Sequence, residues 1–227
     1  MEQLKKNSVS ALGQTIKKVY YVNEKESDVK ILFVGNSITY HEPNSDIGWS
    51  GSWGMAASSP ENDYVHRVAE ILKTNNIRTG ICIAQAAEYE RNYENEDAES
   101  FLPWYEDAAN FKPDIIVMRI AENMPYENVD ESKFKEGYLK LLSFFKRDTN
   151  AKVIFTGSFW KHPADKYIKM LAGEYGYPFI ELGDLGELDE MKATGLFEHS
   201  GVAAHPGDLG MQMIAERIAG QLLKLLK

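Results

Sequence analysis

A short apolar run that ends in glycine, asparagine and serine constrains the fold of this chain more than any other segment. The run occupies residues 31–34, and Gly35, Asn36 and Ser37 follow it directly. Such a run is typical of a strand buried in a parallel sheet, and open α/β sheets place their ligand and catalytic sites at the carboxyl ends of these strands. The pattern therefore predicts a serine nucleophile at a strand end. The alternative is a turn in which Ser37 caps the next helix, since serine is a preferred N-cap residue.

Strand-like and helix-like segments alternate along the rest of the chain. Apolar runs predict strands over residues 30–34, 78–84, 113–120, 153–156 and 179–182, with a short edge strand at 19–22. Apolar residues at helical spacing predict helices over residues 64–75, 102–111, 134–145, 167–175 and 211–227. This alternation predicts a three-layer α/β fold around a doubly wound parallel sheet of about five strands.

No linker divides the 227 residues, a length that fits one large α/β domain. We therefore predict a single domain over residues 1–227, with residues 1–28 as a peripheral amino-terminal segment and a helix as one option for residues 1–18. The single cysteine, Cys82, lies in an apolar stretch, which favours a buried structural thiol.

The charge balance narrows the class of partner. The chain carries 34 acidic and 25 basic residues, a formal net charge of −9, and no basic cluster. Neither nucleic acid nor a membrane is therefore expected as a partner. Without a signal-peptide pattern the default location is cytoplasmic, or secreted if a signal was removed. The sequence does not indicate an oligomeric state.

Two further polar residues stand where they can join Ser37. Asn123 follows the third predicted strand, and His205 lies in the loop before the closing helix. Acyl transfer requires a nucleophile, a base that takes its proton, and donors for the developing oxyanion. Serine, histidine and asparagine can fill these three roles. Asn123 as a turn or cap residue is the alternative.

In combination these residues resemble the SGNH family of hydrolases, also called GDSL-like esterases. Residues 35–39 resemble the family's first block, usually Gly-Asp-Ser; Asn123 matches the asparagine of its Gly-x-Asn-Asp block; and His205-Pro206 matches its last block. The resemblance implies a flavodoxin-like sheet, Ser37 as nucleophile and His205 as base. It also implies an oxyanion hole formed by the Ser37 backbone N–H, a second backbone N–H and the Asn123 amide.

The chain departs from the family pattern at the acidic residue that orients the histidine. The family usually has aspartate three residues before the histidine, where this chain has Val202. Two possibilities follow: a backbone carbonyl holds the imidazole in a Ser-His dyad, or another carboxylate substitutes. The candidate carboxylates are Glu198, Asp208, Asp46 and Glu122.

The blocks around the oxyanion hole also differ. No glycine follows the second predicted strand, so any residue from 86 to 90 could supply the second backbone N–H, and we take Glu90 as the working assignment. Gly-x-Asn-Asp is replaced by Ala-Glu-Asn-Met at residues 121–124, so the local turn must differ while Asn123 remains.

The long loop over residues 40–62 supplies candidates for substrate binding. Trp49 and Trp53 stand among glycines and could line a substrate face, although a loop pinned by buried tryptophans is the alternative. His41 and Asn36 complete the predicted substrate-binding set. No histidine pair has zinc-ligand spacing, and neither Gly-x-Gly-x-x-Gly nor a Walker A pattern occurs, so no metal or other cofactor is expected.

These observations predict a serine esterase that hydrolyses small acyl esters through an acyl-enzyme. Its expected partner is a small-molecule acyl ester, with an O-acetyl group on a carbohydrate as first choice. A lipase or thioesterase for longer acyl chains is one alternative. A binding protein on the same fold that has lost catalysis is the other.

Overall fold

A mostly parallel sheet forms the centre of the computed structural model, which describes residues 18–23, 27–95, 97–127 and 129–227. Apart from Lys18, the helix considered for residues 1–18 lies outside the described residues. The strands of the described part are β1 Val19–Val22, β2 Val29–Gly35, β3 Thr79–Gln85, β4 Ile115–Met118, β5 Lys152–Thr156 and β6 Phe179–Ile180.

The strand order identifies the topology. The spatial order is β1-β3-β2-β4-β5-β6, and β2 to β6 run parallel to their neighbours. Counted from β2, this is the 2-1-3-4-5 order of flavodoxin-like folds. The predicted α/β fold is confirmed. Strand β1 pairs antiparallel with β3, with Val19 opposite Ala84, and makes the sheet six-stranded rather than five-stranded.

Helices cover both faces of the sheet because side chains alternate between the faces along each strand. The α-helices of the described part are α1 Tyr64–Thr74, α2 Ala87–Asn92, α3 Glu106–Asn110, α4 Glu131–Lys146, α5 Asp165–Tyr175, α6 Ser200–Ala203 and α7 Asp208–Leu225. Helices α2 to α5 pack on the face that carries Leu32 and Val34. Helices α1 and α7 pack on the face that carries Ile31 and Phe33.

Local signals explain where several helices begin. Helix α1 starts at Tyr64 because the Asp63 carboxylate accepts a hydrogen bond from the His66 N–H. The segment predicted as a helix over residues 102–111 is instead a 3-10 helix over Ala98–Tyr105 followed by the short α3. Cys82 is buried in β3, as predicted. None of the described helices combines the length and apolar composition that crossing a membrane requires.

Candidate active site

Ser37 lies in a tight turn directly after β2. The N–H groups of Thr39 and Tyr40 both donate to the Asn36 carbonyl, and the Met55 N–H donates to the Ser37 carbonyl. Gly35 is required here, because a Cβ at this position would lie 1.8 Å from Thr39 Oγ1. No helix begins at this turn, so Ser37 is not a helix cap.

The histidine predicted as the base contacts this serine. His205 Nε2 lies 2.8 Å from Ser37 Oγ, although 168 positions separate the two residues along the chain. His205 stands between α6 and α7, where its N–H donates to the Val202 carbonyl and its carbonyl accepts from the Ala193 N–H. Because its backbone is held in this way, the ring is presented at the carboxyl end of the sheet.

The second ring nitrogen of His205 faces a backbone carbonyl. Nδ1 lies 2.7 Å from the Gly201 carbonyl oxygen. A carbonyl can only accept, so Nδ1 carries the proton, and in the neutral ring Nε2 is left as an acceptor for the Ser37 hydroxyl. The arrangement is that of a Ser-His dyad with a carbonyl as orienting group.

The four candidate carboxylates are engaged elsewhere or exposed. Asp208 accepts hydrogen bonds from Ser58 N at 2.8 Å and Ser58 Oγ at 2.6 Å. Glu122 forms an ion pair with Arg119. Glu198 and Asp46 are exposed to solvent. None of the four forms a hydrogen bond with His205 in the described part of the chain, where the ring nitrogens contact Ser37 and Gly201.

Burial sets the protonation state of the base. Desolvation is the largest effect and lowers the pKa of His205 to about 4, against smaller opposing contributions from the Gly201 carbonyl and from Glu122. The imidazole is therefore neutral at physiological pH and ready to accept the serine proton.

Asn123 reaches the same cavity as the dyad. It lies in the loop after β4, where the Met124 N–H closes a turn on the Ala121 carbonyl. Its Nδ2 donates to Glu90 Oε2 at 2.6 Å, and its Oδ1 accepts from the Arg91 guanidinium at 3.0 Å. Since an amide nitrogen carries two hydrogens, one N–H of Asn123 remains for a further acceptor.

A buried polar cluster lies directly beneath the nucleophile. The fully buried Arg119 guanidinium donates to Glu122 Oε1 at 2.6 Å and also donates to Asn36 Oδ1. The Asn36 Nδ2 group donates to Glu122 at 2.7 Å and to Glu90 at 3.0 Å. Asn36 is therefore fully buried, and its predicted role in substrate binding is replaced by a structural one.

The two carboxylates of this cluster have opposite environments. Desolvation is the largest single effect and raises the pKa of Glu122, but the Arg119 charge, the Phe159 N–H and the hydrogen bonds from Asn36 and Arg119 together outweigh it and lower the pKa. Burial, followed by the negative charge of Glu122, raises the pKa of Glu90. The cluster was not predicted, although Arg119 within the apolar run of residues 113–120 is a signal for it, because a buried cation needs a partner.

The working assignment of the Glu90 backbone N–H to the oxyanion hole is not supported by its position. That N–H donates to the Ala86 carbonyl at 2.9 Å inside the first turn of α2, and the Ala86 N–H donates to Gly35. Within the described part of the chain the Ala87 N–H makes one long contact, of 3.4 Å with Gln85 Oε1, and Ala87 lines the cavity. Ala87 therefore replaces Glu90 as the candidate.

The cavity that contains Ser37, Asn123 and His205 has a volume of about 480 Å³. His41 lies on its wall, as predicted, with Nδ1 2.6 Å from the Glu42 carbonyl oxygen. Much of the remaining lining is polar: Lys18, Tyr20, Glu42, Glu88, Arg91 and His199. Among the described residues, no group of three or more His, Cys, Asp or Glu side chains is arranged to hold a metal ion.

The two tryptophans lie outside this lining. Trp49 is buried against Trp53 and Phe197, with its Nε1 donating to the His41 carbonyl. Trp53 Nε1 donates to the Ala57 carbonyl at 2.8 Å. Both indoles anchor the long loop after Ser37, so their predicted role as a substrate face gives way to the alternative of a pinned loop.

Comparison of the fold with solved structures finds neighbours that are acylhydrolases or carbohydrate esterases. A lipase/acylhydrolase from Enterococcus faecalis matches with a TM-score of 0.59 and 15% identity over 87% of this chain and 96% of that one. A family two carbohydrate esterase from Clostridium thermocellum, in complex with cellohexaose, matches with a TM-score of 0.56 and 20% identity. The acetyl xylan esterase Est2A from Butyrivibrio proteoclasticus gives a TM-score of 0.56 and 16% identity.

The two carbohydrate esterases are longer proteins. The matches cover 89% and 88% of this chain but only 66% and 65% of theirs. No family model and no curated protein sequence matches the chain significantly. At these identities the neighbours establish the fold: the chain has the fold of GDSL-type acylhydrolases and carbohydrate esterases, and the predicted resemblance is confirmed at that level.

Proposed function

We propose that this protein is a serine esterase that removes small acyl groups, with O-acetyl esters of carbohydrates as the preferred substrate class. The contact of 2.8 Å between Ser37 Oγ and His205 Nε2 carries the proposal. His205, which is neutral and oriented by the Gly201 carbonyl, is in the protonation state that a general base requires.

The chemistry follows from the dyad. Ser37 Oγ attacks the ester carbonyl carbon while His205 Nε2 takes the hydroxyl proton. The tetrahedral intermediate collapses, His205 gives the proton to the leaving alcohol, and an acyl-serine remains. A water molecule then attacks the acyl-serine with His205 again as base, which releases the carboxylic acid and restores Ser37.

Three donors are available for the oxyanion of both intermediates. The Ser37 N–H forms no hydrogen bond with any described residue, and the Ala87 N–H has only its long contact with Gln85. The second N–H of Asn123 completes the set. Preorganised donors of this kind are usually the largest single contribution to acyl-transfer catalysis.

The cavity favours a polar substrate over a long acyl chain. Two ion pairs line it, Lys18 with Glu42 and Arg91 with Glu88, each at 2.8 Å. Such charged walls can hydrogen-bond the hydroxyls of a sugar, whereas a lipase requires an extended apolar groove. The carbohydrate-esterase neighbours support the same choice.

The test compares acyl-chain lengths and two serine variants. We expect hydrolysis of 4-nitrophenyl acetate and release of acetate from acetylated xylooligosaccharides, with kcat/KM falling from acetate through butyrate to octanoate esters. Ser37→Ala should lower the rate by at least about a thousandfold. Ser143→Ala, at an exposed position on α4, should leave it unchanged.

Three outcomes would contradict the proposal. Full activity in a folded Ser37→Ala variant would remove Ser37 as nucleophile. A kcat/KM that rises with acyl length would favour the lipase alternative. Absence of turnover, together with no labelling of Ser37 by a fluorophosphonate, would favour the binding-protein alternative.

A further inference from the structure

Two consecutive residues of helix α2 hold the two ends of one amide group. Glu90 Oε2 accepts from Asn123 Nδ2 at 2.6 Å, and the Arg91 guanidinium donates to Asn123 Oδ1 at 3.0 Å. Glu90 is fully buried, whereas the Arg91 side chain is 49% exposed and lines the cavity. The amide of Asn123 therefore lies between a buried carboxyl group and a cation.

This arrangement permits only one orientation of the amide. A guanidinium can only donate hydrogen bonds, and the Glu90 oxygen that faces the amide accepts one from Asn123 Nδ2. If the Asn123 amide turned by 180°, its oxygen would face this Glu90 oxygen and its nitrogen would face the Arg91 guanidinium. Both existing hydrogen bonds would then be lost.

Glu90 is itself fixed by donors. Its Oε1 accepts from the Ala121 N–H at 2.6 Å and from Asn36 Nδ2 at 3.0 Å. The groups placed around its two oxygens are thus N–H donors, and both oxygens accept from them. A carboxylate held in this way cannot follow a rotating amide.

We propose that Glu90 and Arg91 are positioning residues that orient the Asn123 amide, so that its second N–H is presented to the oxyanion. The inference rests on the proposed esterase function and assigns to these two residues a part in it. Neither residue needs to touch the reacting atoms. An asparagine without this pair could present its carbonyl oxygen to the oxyanion and destabilise the intermediate.

Glu90 could instead act through its charge. When ionised, a carboxylate close to the oxyanion disfavours the developing negative charge, and the Arg91 cation at the other end of the amide offsets this effect. Glu90→Gln, which carries no charge at any pH, therefore separates the two explanations. A positioning role predicts a slower reaction, and a purely electrostatic role predicts a faster one.

The experiment measures kcat and KM in single variants for 4-nitrophenyl acetate, which has no sugar hydroxyls for Arg91 to bind. Arg91→Ala and Glu90→Gln should each lower kcat by about ten- to a hundredfold with little change in KM, as expected for misplacement of a group that acts in the transition state. Arg91→Lys, which keeps a donor, should recover part of the loss. Arg147→Ala is the matched control, because Arg147 also bridges a carboxylate and an asparagine, Glu106 and Asn110, but does not line the cavity.

A second set of variants shows whether the effect passes through Asn123. In an Asn123→Ala background, Arg91→Ala and Glu90→Gln should cost less than about twofold more, because the group that they position is gone. Full additivity, an increase in kcat for Glu90→Gln, or a loss confined to KM would overturn the inference. The exposed Arg91 site keeps the test valid if Glu90→Gln fails to fold.

The outcome is independent of the test of the nucleophile. If Ser37→Ala abolishes turnover while the Glu90 and Arg91 variants keep normal kcat, the positioning role fails and the esterase remains. If Ser37→Ala retains full activity, the proposed function fails first.

Discussion

Two sets of polar residues lie next to each other at the end of β2: the Ser37–His205 dyad and the buried cluster around Asn36. They differ in whether charged groups hold them in place. The dyad is a line of uncharged groups, from Ser37 through His205 to the Gly201 carbonyl. The cluster around Asn36 contains the buried charges of Arg119 and Glu122. Among the described residues the histidine thus has no carboxylate partner, although the buried carboxylate of Glu122 lies within hydrogen-bond distance of Asn36, the residue before the nucleophile.

This difference separates a chemical task from a structural one. The base must gain and lose a proton in each cycle. Desolvation keeps the pKa of His205 low, because no carboxylate in the described part of the chain forms a hydrogen bond with its ring to offset it. The buried charges instead compensate one another. Through them Glu122 connects the loops that follow three strands, because it contacts Asn36 after β2, Arg119 after β4 and the Phe159 N–H after β5.

The largest expected effect tests the dyad, in which Ser37, His205 and the Gly201 carbonyl are all uncharged. His205→Ala should lower kcat by at least about a thousandfold, because the serine loses the base that contacts its hydroxyl. By contrast, Glu198→Gln, Asp46→Asn and Asp208→Asn should each change kcat by less than about threefold in acetyl-ester assays. A ten-thousandfold loss in any one of these three would identify that residue as a triad acid and remove the contrast between the two groups.

The second prediction concerns the charged cluster around Asn36 and is measured as a change in the free energy of unfolding. Glu122→Gln should lower the free energy of unfolding by about 3–5 kcal/mol, since it leaves the buried Arg119 without its ion-pair partner. Glu106→Gln, which breaks the exposed pair with Arg147, should cost at most about 1 kcal/mol. Urea unfolding of both variants provides the comparison, and equal losses would mean that burial of the first pair has no energetic consequence.

A third, smaller effect explains why asparagine stands where the GDSL pattern has aspartate. Asn36→Asp would place a third carboxylate against Glu90 and Glu122, and we expect a loss of about 1–3 kcal/mol in the free energy of unfolding. Asn44→Asp, at the N-cap of the short 3-10 helix Ser45–Ile47 where aspartate is equally suited, should be nearly neutral.

The pH dependence of this third effect has a definite sign. The new carboxyl would be fully buried and would face two carboxyl groups, Glu90 and Glu122, against one cation, Arg119. We therefore expect its pKa to be higher in the folded than in the unfolded chain, so the loss should be greatest near neutral pH. It should shrink as the pH falls towards the unfolded-state pKa of about 4. A loss that does not change with pH would point to packing rather than charge.

The fold could be predicted from the sequence because its signals are local. Apolar runs such as residues 31–34 lie on central strands, and their flanking helices carry apolar stripes at helical spacing. Helix α2 was not predicted, since six residues that include Glu88, Glu90 and Arg91 show no periodicity over so short a span.

The site was predictable only in part, for a physical reason. Ser37, Asn123 and His205 carry distinctive side chains, and each follows or precedes a recognisable element. The Gly201 carbonyl gives no such signal, because every residue has a carbonyl group and only the turn before His205 aims this one at the ring. Likewise, contacts between residues far apart in sequence bury Trp49, and neighbouring glycines do not indicate them.

The smallest effect, and the most direct measure of the contrast, is the pH profile of kcat/KM. His205 must be neutral to accept the serine proton, so activity should be constant from neutral pH to about pH 5. It should be halved near the His205 pKa of about 4, and then fall about tenfold per pH unit. A histidine paired with a carboxylate would lose activity at higher pH, because the anion stabilises the imidazolium. An apparent pKa of 6.5 or above in the folded protein, with folding checked by circular dichroism at each pH, would mean that a carboxylate acts on His205 and that the dyad is not an uncharged line.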